Sequence, residues 1–185
     1  FNVLGWSYGG LVAQYLTFLY PERVLKTIII GSNPPGKNEI PFEPAFFEKA
    51  LKPVNDLEDE IVLFFEPLSE KSRKAAFESH KRIAQRLDKK KIPATQDEWQ
   101  RYFAASQKVK EDVDNYRSAY QTLKNPVLVV SGDHDISFAL ENWFPLLRKA
   151  HTMQLIVIPE AGHGPQHQNP KLIAGYIRNF LEVEN

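Results

Sequence analysis

The chain opens with Phe1-Asn2-Val3-Leu4-Gly5-Trp6-Ser7-Tyr8-Gly9-Gly10-Leu11, and this stretch decides the fold. Phe1 to Leu4 is a short apolar run that stops at Gly5, which reads as the end of a buried strand. From Leu11 to Leu19 apolar residues recur at helical spacing, and Pro21 follows just beyond the expected helix end. Between the two sits Gly5-Trp6-Ser7-Tyr8-Gly9, a G-x-S-x-G pattern. The pattern alone is weak. Its setting, a sharp turn from strand to helix, is what holds a serine with its hydroxyl in the open. Such a turn crowds the residues two before and two after the serine, so glycine is expected at both Gly5 and Gly9. Gly10 then lets the helix lie close to the strand. The alternative is a glycine-rich turn in which Ser7 is an ordinary helix cap.

Outward from this turn the same alternation continues. Val24 to Ile30 is dense in β-branched residues and reads as a buried strand, ending at Gly31-Ser32-Asn33-Pro34-Pro35-Gly36. Pro126 to Val130 and Met153 to Ile158 read as two more strands. The first runs into Ser131-Gly132-Asp133-His134-Asp135, the second into Pro159 and Gly162-His163-Gly164. Trp143 to Ala150 and Pro170 to Leu181 read as helices. Strands separated by helices imply a parallel sheet of βαβ units. From Pro44 to Leu123 the pattern is helical, with helices over Asp56 to Phe65 and Ser69 to Leu87. Another starts at Thr95, which has capping-box spacing with Glu98. A helical block this long between two strands exceeds an ordinary connection and reads as a functional cap or lid. The expected division is a core of residues 1–33 and 124–185 with a cap of 34–123. Lys89-Lys90-Lys91 reads as a solvated surface run, because nothing aromatic accompanies it.

Composition narrows the function. Lys plus Arg equals Asp plus Glu at 23 each, so charge gives no reason to expect nucleic acid or an anionic membrane as partner. The apolar runs are a few residues long, too short to span a bilayer. Absence of cysteine excludes a disulfide framework and a thiol nucleophile, and fits a reducing compartment, so a cytoplasmic location is expected. The expected partner is a small-molecule substrate, with no metal or cofactor. The oligomeric state is left open.

A serine needs a base to become a nucleophile, and histidine is the usual one near neutral pH. His80 lies in a polar helical pattern and His151 at a helix end, where simple exposure and dipole contact explain them. His163 sits in a Gly-His-Gly loop directly after a strand, at the carboxyl edge where parallel α/β sheets bind ligands. His167, in the same loop, is its competitor. An acid must orient the histidine. Asp133 lies within the turn after its strand, and Asp135 two residues further, where a loop can reach across. Either could instead cap a helix or close an Asx turn.

On these residues the chain resembles the α/β-hydrolases, a large esterase-like superfamily. Val3 to Leu16, Tyr20-Pro21-Glu22-Arg23-Val24, Leu128 to Asp135 and Ile158 to Gly164 carry the resemblance, and the intervening helices match a family cap domain in position. It implies an α/β fold: the C-terminal part of an α/β-hydrolase parallel sheet with an inserted helical cap, the family's first four strands and most of the fifth preceding Phe1. It implies Ser7, Asp135 and His163 as a catalytic triad, since the family's acid is fourth in a Gly-x-x-Asp segment and Gly132-Asp133-His134-Asp135 fits. It implies the Tyr8 backbone N–H as one oxyanion-hole donor, the second normally coming from a His-Gly-type loop ahead of Phe1.

The implied function is a cofactor-free serine hydrolase cleaving an ester or comparable acyl bond in a small apolar substrate. The same triad serves carbon–carbon bond hydrolases and cofactor-free haloperoxidases. Haloalkane dehalogenases differ, with an aspartate where Ser7 stands. A non-catalytic ligand-binding or receptor protein of this fold is the alternative of another class, though it has no chemical need for Ser, Asp and His together. Trp6 and Phe138, each beside a triad residue, are the candidate substrate-pocket residues, with plain packing as the alternative. Phe42, Phe46, Phe47, Phe64, Phe65, Phe77, Trp99, Tyr102 and Phe103 read mainly as core of the cap. In the family's strand order the strand at Leu4 lies mid-sheet, so residues 1–185 alone are expected to be inactive and prone to aggregate.

Overall fold

The computed structural model describes residues 1–52, 54–88 and 95–183, and only the backbone of residues 96, 99, 102, 103, 105 and 106. Lys89-Lys90-Lys91 and the side chains of Trp99, Tyr102 and Phe103 lie outside the described residues. Four strands, β1 (Val3–Trp6), β2 (Thr27–Ile30), β3 (Val127–Gly132) and β4 (Met153–Ile158), form one parallel sheet in the order β1-β2-β3-β4. The register sets Trp6 beside Ile30, Ile30 beside Val130 and Val130 beside Ile156. The carboxyl ends of the strands therefore share one edge.

β2 and β3 are buried along their whole length, which is why they read as unbroken apolar runs. Strand alternation sorts the side chains onto two faces. Ile28, Ile30, Leu128 and Val130 pack with Ile173 and Phe180 of α9 (Pro170–Glu182). Ile29, Val127 and Val129 pack on the other face with Tyr120, Trp143 and Leu146. That face is covered by α1 (Tyr8–Leu19), the end of α6 (Tyr116–Ala119) and α7 (Phe144–Leu147).

Two elements differ from the sequence reading. β2 starts at Thr27, because the amides of Arg23 and Val24 both donate to the Tyr20 carbonyl in a turn. Val24 is fully buried there, so its apolar character reflects core packing and not strand pairing. The helix expected over 143–150 is instead a 3-10 turn, Leu140–Trp143, followed by the single turn of α7.

Between β2 and β3 run α2 (Pro44–Ala50), α3 (Leu57–Phe64), α4 (Glu70–Ala84), α5 (Gln96–Glu111) and α6. Local chemistry starts three of them: an Asp56–Asp59 capping box opens α3, the Ser69 hydroxyl accepts from the Ser72 amide at α4, and a Thr95–Glu98 capping box opens α5. α4 packs on α8 (Pro165–Gln168), with Ser72 Oγ donating to Gln168 Oε1 at 2.8 Å. The helical segment therefore leans over the edge where β4 ends. Among the described residues no helix is long and apolar enough to cross a membrane.

Candidate active site

β1 ends at Trp6, and α1 begins at Tyr8 with only Ser7 between them. To turn that sharply Ser7 takes φ 57° and ψ −125°, outside the basins open to an L-residue. A residue held so costs on the order of 1–3 kcal/mol, which the surroundings must supply. Support comes from the Ser7 amide, which donates to the Ile30 carbonyl at 2.9 Å, and from the Gly10 amide, which donates to the Ser7 carbonyl at 2.9 Å. The hydroxyl does not cap α1 and makes no hydrogen bond among the described residues. Ser7 is therefore no ordinary cap. Of the flanking glycines, Gly5 is the crowded one: a Cβ there would stand 1.9 Å from the Gly9 carbonyl oxygen. A Cβ on Gly9 would meet nothing within 4 Å, so the expectation that both positions require glycine holds for Gly5 alone. A Cβ on Gly10 would lie 2.6 Å from Ser32 Cβ, which accounts for the close approach of α1 to the end of β2.

The turns after β3 and β4 are bonded to each other. The Asp133 amide donates to Ile158 O, the His134 amide to Ala161 O, and the Ala161 amide to Asp133 Oδ1. This sets Asp135 against His163, and His163 Nδ1 lies 2.8 Å from Asp135 Oδ2. Both residues are buried, with 7% and 4% of their surfaces exposed. Asp135 Oδ1 accepts three further bonds, from Ser137 N at 2.9 Å, Ser137 Oγ at 2.6 Å and Phe138 N at 2.9 Å. Burial pushes the Asp135 carboxyl up, but the His163 ring, the bond it donates and the bonds from Ser137 and Phe138 outweigh burial. The group is held below the usual carboxylate range.

The competing residues go elsewhere. Asp133 is partly exposed and pairs with His134 Nδ1 at 2.6 Å, a bond that raises the His134 pKa against the opposing effect of burial. His167 Nδ1 meets the Ser79 hydroxyl at 3.4 Å and, among the described residues, no carboxylate. Burial lowers the His167 pKa, and the charges of Arg82 and His163 act the same way. His80 has a carboxylate partner that the sequence did not suggest, Glu60 at 2.9 Å.

Among the described residues three aromatic rings lie around His163: Phe138 at 5.4 Å, Trp6 at 5.5 Å and Phe64 at 6.0 Å between ring centres. Phe138 continues into Phe42 at 5.1 Å, and Phe42 into Phe46 at 4.8 Å. Trp6 is engaged more specifically, donating its indole N–H to the His163 carbonyl at 2.9 Å. Of the other aromatics, Phe65 is buried core, while Phe47 and Phe77 are about half exposed. Tyr8 also borders a mainly apolar groove of about 520 Å³ between α1 and α5, lined by Leu11, Val12, Tyr15, Leu16 and Leu19. A second groove of about 550 Å³, lined by Phe18, Val24 and Pro126, opens at the opposite end of the sheet.

Ser137 and Gly31 take part in this arrangement without having been singled out from sequence, whereas Phe64, read there as core of the cap, stands beside His163. Only Ser137 left a local signal, the Asp-x-Ser spacing of an Asx turn.

The family model described as the alpha/beta hydrolase fold matches residues 1–170. Among curated proteins, the pimeloyl-acyl-carrier-protein methyl ester esterase of Wigglesworthia glossinidia brevipalpis is 26% identical, over 99% of this chain and 70% of that protein. The biotin biosynthesis bifunctional protein BioHC of Teredinibacter turnerae is 25% identical, and the chain covers 33% of its length. Among solved structures, an alpha/beta hydrolase fold protein from Chitinophaga pinensis superposes with a TM-score of 0.73 at 24% identity, over 100% of this chain and 66% of that one.

Proposed function

The chain belongs to the alpha/beta hydrolase fold family, and on that premise we propose that it acts as a serine hydrolase on an ester or comparable acyl bond. Ser7 is the nucleophile, His163 the general base and then acid, and Asp135 the group that orients His163. The observation that carries the reading is the buried Asp135–His163 hydrogen bond, at the same sheet edge as a serine forced into a strained turn. A packing histidine has no need of a buried carboxylate with four donors. A capping serine has no need of φ 57°.

In this mechanism the Ser7 Oγ lone pair attacks the carbonyl carbon while His163 Nε2 takes the hydroxyl proton. The oxygen that becomes negative faces the Tyr8 backbone N–H, the first amide of α1, where the helix dipole also favours negative charge. Collapse breaks the bond to the leaving oxygen, which receives the proton from His163. Water then repeats the sequence on the acyl-serine and releases the acid. Asp135, kept ionised by its donors, stabilises the imidazolium and fixes its tautomer.

Residues 34–123 are proposed to act as the cap, and its aromatics support an apolar substrate. Phe138 and Phe42 form a continuous wall from His163. The esterase name of the Wigglesworthia relative agrees with an ester as the bond cleaved. The test is labelling of the full-length protein with a fluorophosphonate probe. Labelling that maps to Ser7 and disappears in Ser7→Ala supports the reading. A folded protein that resists the probe and hydrolyses no aryl ester would instead be a binding protein on a hydrolase fold.

A further inference from the structure

Trp6 stands one residue before Ser7, yet its side chain reaches the loop that follows β4, 157 residues away. The indole N–H donates to the His163 carbonyl at 2.9 Å, and the ring lies 5.5 Å from the His163 ring and 5.0 Å from that of His167. Phe64 lies 5.8 Å from the Trp6 ring and 6.0 Å from that of His163. Gly31, at the end of β2, completes the seat. A Cβ there would stand 2.6 Å from the His163 carbonyl oxygen and 3.2 Å from Nδ1, so the backbone of residue 163 rests directly on the sheet edge. Because His163 is buried, its carbonyl depends on a protein donor, and the indole supplies it. The polar edge of Trp6 is thus turned to the loop that carries His163.

Resting on the reading of Ser7 and His163 above, we propose that Trp6 is a positioning residue: its indole N–H and ring hold His163 in place. Asp135 fixes the rotation of the imidazole, and Trp6 fixes the backbone that carries it. Since Trp6 and Ser7 are consecutive, one short segment sets the nucleophile and also anchors its base. A phenylalanine at this position keeps most of the packing and loses the donor, leaving a buried carbonyl unpaired. A shift of about 1 Å in a reacting group is enough to slow a reaction by roughly 100-fold.

The test replaces Trp6 in the full-length protein with 3-benzothienylalanine, which keeps the ring shape and removes only the N–H. Trp6→Phe serves as a second variant should the first fold poorly. The rate of Ser7 labelling by a small fluorophosphonate is expected to fall roughly 10- to 100-fold, with KM for an aryl acetate unchanged. The low-field proton resonance of His163 Nδ1–H, shared with Asp135, is expected to broaden or vanish. Parental labelling with an unchanged resonance overturns the proposal, and so does a raised KM at parental kcat, which assigns Trp6 to the substrate pocket. Failure of the underlying hydrolase reading looks different: the parent protein is then not labelled at Ser7. The Nδ1 proton needs no turnover, so it still decides whether Trp6 holds His163.

Discussion

Asp133 and Asp135 leave the same turn, and burial separates them. Asp135 is buried with four donors on its two oxygens, while Asp133 remains partly exposed and pairs with His134. In the full-length protein Asp135→Asn is expected to lower turnover by about 10⁴-fold, because a misoriented imidazole offers the wrong nitrogen. Asp133→Asn is expected to stay within about one order of magnitude, as partly exposed ion pairs contribute little. Steady-state rates on an aryl ester rank the two, and the opposite ranking would move the acid to Asp133. Asp135 also links stability to pH. Its folded pKa lies below its unfolded value, so its contribution is complete above about pH 4 and is lost as pH falls through the folded pKa. The gap in thermal midpoint between the parent and Asp135→Asn should therefore shrink as pH drops from neutrality to about 3. A gap that is constant with pH would mean that the carboxylate is not stabilised in the fold.

At the scale of elements, the β1-to-α1 turn makes an asymmetric demand on its glycines. A methyl group on Gly5 collides with the Gly9 carbonyl, so either β1 or the first turn of α1 must move. Gly5→Ala is expected to unfold the elbow, with loss of Ser7 labelling and a lower thermal midpoint. Gly9 lies in the first turn of α1 with open space at its Cβ position. Gly9→Ala is expected to keep the fold and to stabilise it by up to about 1 kcal/mol through helix propensity. Parallel thermal melts test the contrast, and equal damage by both substitutions would show that the crowding is two-sided. The α3–α4 pair belongs with the His163 loop. The Gly164 amide donates to Phe64 O at 2.8 Å, Ser69 Oγ meets Glu160 Oε2 at 3.1 Å, and Ser72 meets Gln168. Substitutions in α3 and α4 will therefore act on His163 as well as on the helices.

For the whole molecule, the arrangement of the sheet sets the risk. β1 pairs with β2 on one side, and among the described residues no strand pairs with its other side. Phe1 is 55% exposed and Leu4 51%, so this edge is apolar as well as open. Such an edge is a template for pairing with another chain. Residues 1–185 expressed by themselves are expected to self-associate, and Leu4→Lys to reduce the association, as read by light scattering on a sizing column. A monodisperse 185-residue monomer would show that the edge is protected in another way.

Features set by near neighbours in the chain were legible in the sequence. The Gly5-x-Ser7-x-Gly9 turn, the Thr95–Glu98 capping box and the loops carrying Asp135 and His163 all follow from residues a few positions apart, because turn and cap chemistry is local. The parallel sheet was legible for the same reason, since strands covered on both faces must be apolar throughout. Periodicity reports that a residue is buried but not what it meets. Val24 therefore read as strand although it lies ahead of β2, and the bond from the Trp6 N–H to His163 left no sign in the sequence. Which aspartate meets which histidine was decided by the register of β3 on β4, which brings together turns 28 residues apart. The seat of His163 against Trp6 and Gly31 likewise exists only once three strand ends share one edge. Contacts of that kind depend on how the elements stack, and stacking leaves no local mark on the residues that make it.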